Sequence, residues 1–296
     1  MTSGIILVDK PQEFTSFDVI AKLRGILKTS ALGHAGTLDP MATGVLPVFM
    51  GRATKAIPYL ENNSKRYTAS FRLGISTDTQ DTSGRITRER EVFVSRGEVE
   101  SAALSFKGRQ KQIPPMYSAV KVGGRRLYDL ARQGIELERE AREIEFFNID
   151  LIGGEDNEYV IDVLCSRGAY IRTLCNDIGE KLGCGAALAS LARTEACGYR
   201  LSDCLSLDKI EKNVSNGDFS FVRPLESAFE NWPKITLPPR EAKLFLNGVK
   251  LRPDEIPGFC GGERFAVFGG EGLLGLARFD KASGLLKIER IFSERN

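Results

Sequence analysis

The stretch Gly33-His34-Ala35-Gly36-Thr37-Leu38-Asp39-Pro40-Met41-Ala42-Thr43-Gly44 holds one carboxylate, Asp39, among turn-forming residues that carry almost no other charge. Ordinary surface loops carry more Lys and Glu, so this loop reads as packed and shaped rather than solvated. A lone carboxylate in such a setting can act as nucleophile or base toward a substrate carbon. Asp before Pro is equally a turn former whose side chain bonds the nearby backbone. The residues alone leave both readings open.

Other chemistries are excluded by composition. His34 is the single histidine, so a multi-histidine metal site is ruled out and any Ser/His/Asp relay would have to use it. The six cysteines, Cys165, Cys175, Cys184, Cys197, Cys204 and Cys260, form no C-x-x-C pair. The glycines around Asp39 lack both the P-loop lysine and the dinucleotide spacing. No nucleotide cofactor and no metal are expected. The only apolar run near the N-terminus is Ile5–Val8, too short for a secretory segment, so free thiols and a cytoplasmic location are the expectation. No run approaches the length needed to span a membrane.

The net charge of +2 is weak, but its distribution is not even. From Lys22 to Tyr67 there are seven Lys/Arg against two acids, Asp39 and Glu61; from Ser105 to Arg142 there are nine against four. That asymmetry suits a face that meets a polyanion, and equally a solvated charged face.

Several elements must position these groups. Gly4–Val8 reads as a buried strand. Thr15 and Asp18 resemble a capping box that opens a helix with Phe17, Ile20, Leu23 and Leu27 on one face. Val45–Met50 reads as a strand and Ala53–Leu60 as a short helix. From Arg66 to Leu73 the alternation places Tyr67, Ala69, Phe71 and Leu73 on the buried side. Ser76–Gly84 reads as a polar loop, Gly97–Phe106 and Leu127–Gln133 as helices, and Ile113–Ser118 as an extended segment. Ile144–Ile152 and Tyr159–Cys165 read as strands. Ile171, Leu174, Ile178 and Leu182 recur at helical spacing, which puts Arg172 in a first turn. A cation there opposes the helix dipole, so an acidic partner is expected. Pro224, Pro233, Pro238 and Pro239 mark a linker, followed by a helix at Glu241–Asn247 and strands near Phe265–Phe268, Leu273–Phe279 and Leu285–Ile291.

The loop Gly33–Leu46 resembles the signature of the TruB family of tRNA pseudouridine synthases. The resemblance continues through Asp9-Lys10-Pro11, Ala53-Thr54-Lys55, Lys65-Arg66-Tyr67, Gln112–Ala119, Tyr170-Ile171-Arg172 and Gly183–Ala186, in the family's order. It implies an α+β pseudouridine synthase fold: a mixed, largely antiparallel sheet with a central cleft over residues 1–232, then a small β-rich, PUA-like domain over 233–296. The basic stretch about 105–142 would be an insertion that grips the T-arm of tRNA. The implied reaction breaks the ribose–uracil N1 bond of uridine 55, turns the extruded base and rejoins it through C5, without metal or cofactor. Asp39 would be the catalytic carboxylate, Arg172 would hold it by charge-assisted hydrogen bonds, and Tyr67 would stack on the base and assist proton transfer at C5. His34 would stabilise the flipped loop bases, Leu191 would line the apolar side of the pocket, and Lys10 and Lys55 would support the site or a phosphate. A monomer acting without guide RNA is expected. Ala35 and Ala169 stand where threonine is usual, and Ala192 where arginine is common.

Two rival readings stay in view. One is an RNA-binding protein that only opens the T-loop. The other is a nucleoside N-glycosylase, which would pair two carboxylates to activate water; the sequence shows no second acid in a matching loop.

Overall fold

The computed structural model describes residues 3–60, 64–118, 120–256, 259, 261–270 and 272–293. Glu61, Ala119 and Cys260, used above in charge, motif and thiol arguments, lie outside the described residues. In chain order the elements are β1 (Gly4–Lys10), α1 (Ser16–Leu27), β2 (Leu32–His34), β3 (Thr43–Met50), β4 (Lys65–Leu73), β5 (Ile75–Thr77), β6 (Ile86–Glu89), α2 (Arg96–Leu104) and β7 (Gly108–Gln112). Then follow β8 (Lys121–Val122), β9 (Arg125–Arg126), α3 (Leu127–Ala131), β10 (Arg142–Glu155), β11 (Glu158–Cys165), α4 (Ile171–Lys181), β12 (Ala186–Ala196), β13 (Tyr199–Arg200) and α5 (Leu207–Ser215). The chain closes with β14 (Lys234–Thr236), α6 (Pro239–Leu246), β15 (Arg264–Gly269), β16 (Gly272–Asp280) and β17 (Leu285–Ile291).

Local chemistry accounts for much of this. The alternating residues of β4 bury Tyr67, Ala69, Phe71 and Leu73. The capping box of α1 is complete: the Thr15 hydroxyl accepts from the Asp18 N–H, and the Asp18 carboxylate accepts from the Thr15 N–H at 2.8 Å. The inward face of that helix is Val19, Ile20 and Leu23, whereas Phe17 is 63% exposed and belongs to the outer face. Phe17 follows the buried Ser16 and cannot share its direction on a helix. The turn read as a helix at Ala53–Leu60 is a 3-10 helix over Gly51–Tyr59.

Among the described residues the main sheet runs β1-β3-β12-β4-β11-β10-β7. Its pairings are antiparallel except the one between β12 and β3. The sheet is thus mixed and largely antiparallel. The apolar cluster on one side joins Leu38, Ala42, Tyr67, Phe71, Val163 and Leu174, so the Asp39 loop, β4 and α4 share one core. The parallel contact sets Ala192 beside Thr43 and Arg193 beside Gly44. Gly44 has φ +99°, and a Cβ there would stand 2.3 Å from the Arg193 carbonyl oxygen, so this approach needs glycine.

One region is unassigned by the sequence reading, and another differs from it. The central strand β12 falls in a stretch, Ala-Ala-Leu-Ala-Ser-Leu-Ala-Arg-Thr-Glu-Ala, whose composition carries no strand signal. The proline-rich segment is not a free tether. Trp232 is buried, Ile235 pairs in register with Val267, and β14 adds to the four-stranded sheet β14-β15-β16-β17. One apolar cluster joins Ile5, Val45 and Phe49 of the main sheet to Phe229, Trp232, Ala266, Leu273 and Phe292, and the Tyr59 hydroxyl donates to the Glu289 carbonyl at 3.1 Å. The C-terminal sheet is therefore packed onto the back of the first.

Candidate active site

Asp39 sits between β2 and β3 with its side chain 38% exposed. Its carboxylate meets the guanidinium of Arg172, Nε to Oδ2 at 3.0 Å, from the first turn of α4. The Arg172 side chain is 5% exposed, so the pair is open to solvent on the acid's side and closed on the base's side. The acidic partner that the helix dipole called for is Asp39. It is not the only one.

Asp81, in the polar loop after β5, lies 3.6 Å from the same guanidinium and its side chain is 8% exposed. The loop also supplies the Thr79 carbonyl, which accepts from Arg172 at 3.1 Å. The Tyr117 carbonyl accepts at 2.7 Å. Arg172 thus joins the Asp39 loop, the Asp81 loop and the extended segment after β7, a use of a planar five-donor fork that lysine cannot reproduce. A second acid is present after all, against the sequence reading. Its oxygens are already engaged: Asp81 Oδ1 accepts from the Thr79 hydroxyl at 2.9 Å, the Ser83 N–H at 3.1 Å and the Ser83 hydroxyl, while Oδ2 faces Arg172. Such a carboxylate orients an arginine; it has little left for activating water.

The loop holding Asp39 is fastened from below. The Ser16 hydroxyl accepts from the Leu38 N–H at 2.8 Å and donates to the Leu38 carbonyl at 3.2 Å. Lys10 is fully buried, and its ammonium donates to the carbonyls of Pro11, Phe14 and Pro40. Burial pushes its pKa down to about 8 against the opposing pull of the Asp39 charge. Of the two roles implied for Lys10, support of the site matches these bonds; its three donors are taken up by backbone. Arg193 on β12 is 0% exposed and donates to the carbonyls of Val45 at 2.8 Å, Gly36 at 3.1 Å and Thr37 at 3.4 Å. The sequence reading looked for an arginine at 192 and passed over the one at 193. A basic residue in an otherwise small and apolar run was the available signal.

Tyr67 is buried next to this loop, in one apolar cluster with Leu38, Ala42 and Leu191. Burial, opposed by the nearby Arg193 charge, lifts its phenol to about 12. The hydroxyl keeps its proton at neutral pH, so Tyr67 presents a ring and an O–H donor. Leu191 is buried on β12 opposite Ala69. His34 ends β2 in register with Val48, and burial plus the charge of Arg193 holds its imidazole below the ordinary value, hence neutral at pH 7. Lys55 is exposed on the 3-10 helix, and among the described residues no ion pair ties it down. Asp39, Arg172, Tyr67 and Leu191 converge, and Lys10 bonds the Pro40 carbonyl next to Asp39.

Among the described residues no three His, Cys, Asp or Glu side chains gather as metal ligands, and no helix is long and apolar enough to cross a membrane. Cys165, Cys175, Cys184, Cys197 and Cys204 are free thiols.

A model described as TruB family pseudouridylate synthase (N terminal domain) matches residues 24–171, and one described as tRNA pseudouridylate synthase B C-terminal domain matches 172–230. The chain belongs to the TruB family. The tRNA pseudouridine synthase B of Bacillus subtilis is 39% identical, covering 100% of this chain and 99% of that protein. Its counterpart from Moorella thermoacetica is 41% identical, covering 98% and 99%. In a crystal structure of a Cbf5-Nop10-Gar1 complex, one chain superposes with a TM-score of 0.75 at 25% identity, over 99% of this chain and 85% of that one.

Proposed function

We propose that the protein converts uridine 55 in the T-arm of tRNA to pseudouridine, with Asp39 as the catalytic carboxylate and no guide RNA. The observation that carries this reading is the solvent-open carboxylate of Asp39 held 3.0 Å from a closed guanidinium within the family's signature loop. Relatives of near-equal length that bear the name tRNA pseudouridine synthase B support the substrate class. The balance of the reaction is internal: the bond from C1′ to N1 breaks, the bond from C1′ to C5 forms, and the hydrogen on C5 is lost as N1 gains one. Nothing else is consumed.

The residues divide this work. Arg172 holds the Asp39 carboxylate toward the ribose and base, and Asp81 holds Arg172. The extruded uracil stacks on Tyr67, worth about 1–3 kcal/mol against the few that extrusion costs. With its phenol lifted to about 12, Tyr67 acts first as a stacking face and hydrogen-bond donor. Leu191 closes the apolar side. His34, neutral, suits hydrogen bonding to unpaired loop bases better than phosphate pairing. The basic stretch expected over 105–142 gives Gly108–Gln112 to the main sheet as β7; the part between β7 and β10, with Arg126 and Arg132 over the Tyr128 ring at 5.7 and 5.6 Å, is proposed to grip the T-arm. Residues 1–232 form the catalytic part in this reading and 233–296 an accessory RNA-facing one.

Tritium release from a transfer RNA transcript labelled at C5 of uridine tests the proposal. Wild type should release one tritium per transcript, lost when position 55 is cytidine. Asp39→Asn should bind the transcript and release at least about a thousandfold more slowly. An active Asp39→Asn removes the carboxylate from the mechanism, free uracil from wild type points to the glycosylase, and binding without release points to a remodelling protein.

A further inference from the structure

The basic insertion leaves the main sheet at one residue. Gln112 is the last residue of β7, paired with Arg142 at the start of β10, and between them the chain departs to form β8, β9 and α3. Gln112 is polar yet buried. Its side chain does not face the insertion. The Gln112 Oε1 accepts from the Tyr170 N–H at 2.7 Å, and the Nε2 donates to the Tyr170 carbonyl at 3.0 Å. One amide thus satisfies both polar groups of one backbone residue, as a neighbouring strand would.

That residue caps the helix of Arg172. Tyr170 occupies the N-cap of α4 without a side-chain cap bond, and its carbonyl also takes the first helical hydrogen bond, from the Leu174 N–H at 3.1 Å. The entry angle of α4, and with it the direction of Arg172 two residues on, therefore depends on a side chain from β7. Five residues beyond Gln112 the same segment returns to the guanidinium, where the Tyr117 carbonyl accepts from Arg172 Nη2 at 2.7 Å. Two contacts, one to backbone and one to side chain, staple the root of the insertion to the arginine that faces Asp39.

We propose that Gln112 is a positioning residue that sets the Arg172 guanidinium, and through it Asp39, from the point where the RNA-gripping insertion leaves the sheet. The inference rests on the roles given above to Arg172 and Asp39. It explains why a buried amide stands at the end of an edge strand. It also makes the insertion's root part of the catalytic geometry: a shift there is felt at the carboxylate.

Two variants test it. Gln112→Ala removes both bonds; kcat at saturating transfer RNA should fall about 10- to 100-fold, the scale of an ångström-level misplacement, with KM changed less than about twofold. Gln112→Glu keeps the shape and the acceptor but, when ionised, has no hydrogen for the Tyr170 carbonyl. Burial raises the pKa of such a carboxyl, and its protonated form can donate again. The ratio of variant to wild-type kcat should therefore climb as pH falls from about 8 to about 5.5, a recovery that a merely structural residue has no reason to show. An unchanged kcat in Gln112→Ala, or a flat ratio in Gln112→Glu, overturns the inference. Amide hydrogen exchange over residues 168–174 reads the same staple without any turnover. Gln112→Ala should exchange faster there while β1 and β3 keep wild-type protection, and unaltered exchange refutes the positioning even if the assigned substrate proves wrong.

Discussion

Two arginines are buried against the same loop and do different work. Arg172 meets carboxylates on two sides, Asp39 and Asp81, and uses its remaining donors on the carbonyls of Thr79 and Tyr117. Arg193 meets no carboxylate within ion-pair distance among the described residues and gives its donors to the carbonyls of Gly36, Thr37 and Val45. The first arranges a solvent-open charge, the one proposed above to act on the substrate. The second arranges backbone, holding the two ends of the Asp39 loop to the central strand. A guanidinium serves both purposes because it stays charged and donates in a plane, and because several carbonyl dipoles can stand in for a counter-ion.

Replacing Arg172 by lysine should give the largest effect. An ammonium cannot reach all four partners, so kcat should drop about a hundredfold or more, while the retained charge keeps the fall in unfolding free energy below that of Arg193→Met. Arg193→Met should do the reverse. Three loop carbonyls lose their donors, each orphan costing about 1–3 kcal/mol, so unfolding free energy should fall by roughly 3 kcal/mol or more in urea titration. If Arg193→Met lost activity but not stability, the contrast between the two arginines would collapse.

Asp81→Asn sharpens the comparison. The amide retains hydrogen bonding to the loop but removes one of the two charges on Arg172; kcat should fall about tenfold, and a loss as large as that of Asp39→Asn would place Asp81 in the chemistry itself. The smallest effect concerns Lys10. Its pKa is pushed down to about 8 in the folded chain, below its ordinary 10.5. Between those values the unfolded chain binds more protons, so the Lys10 contribution to stability rises with pH across that window and is flat below it. Wild type minus Lys10→Met, followed by urea midpoints from about pH 7 to about pH 10, should show that positive slope; a negative one would mean Lys10 is held in its charged form by more than burial opposes.

Much of the machinery was legible before any coordinates. Alternation from Arg66 to Leu73 named the buried face of β4, Tyr67 included, because the side-chain period of a strand is a local property. The Thr15–Asp18 pair marked the start of α1 for the same reason. The Asp39 loop stood out through its glycines and lack of charge, and Arg172 through its conflict with the helix dipole. These are contests between a residue and its immediate neighbours in sequence.

What tertiary structure alone decided lies where distant segments meet. The stretch from Ala186 to Ala196 has a composition suited to a helix, yet it is a central strand because β4 and β3 offer hydrogen-bonding edges on both sides. Asp81 looked like one acid in a polar turn and is a partner of Arg172. Gln112 carried no local mark, and Arg193 only that of a basic residue in a small, apolar run. A buried polar side chain is defined by the carbonyls and carboxylates that surround it, and those arrive from segments as far apart as Gly36 and Arg193, which no window along the chain brings together.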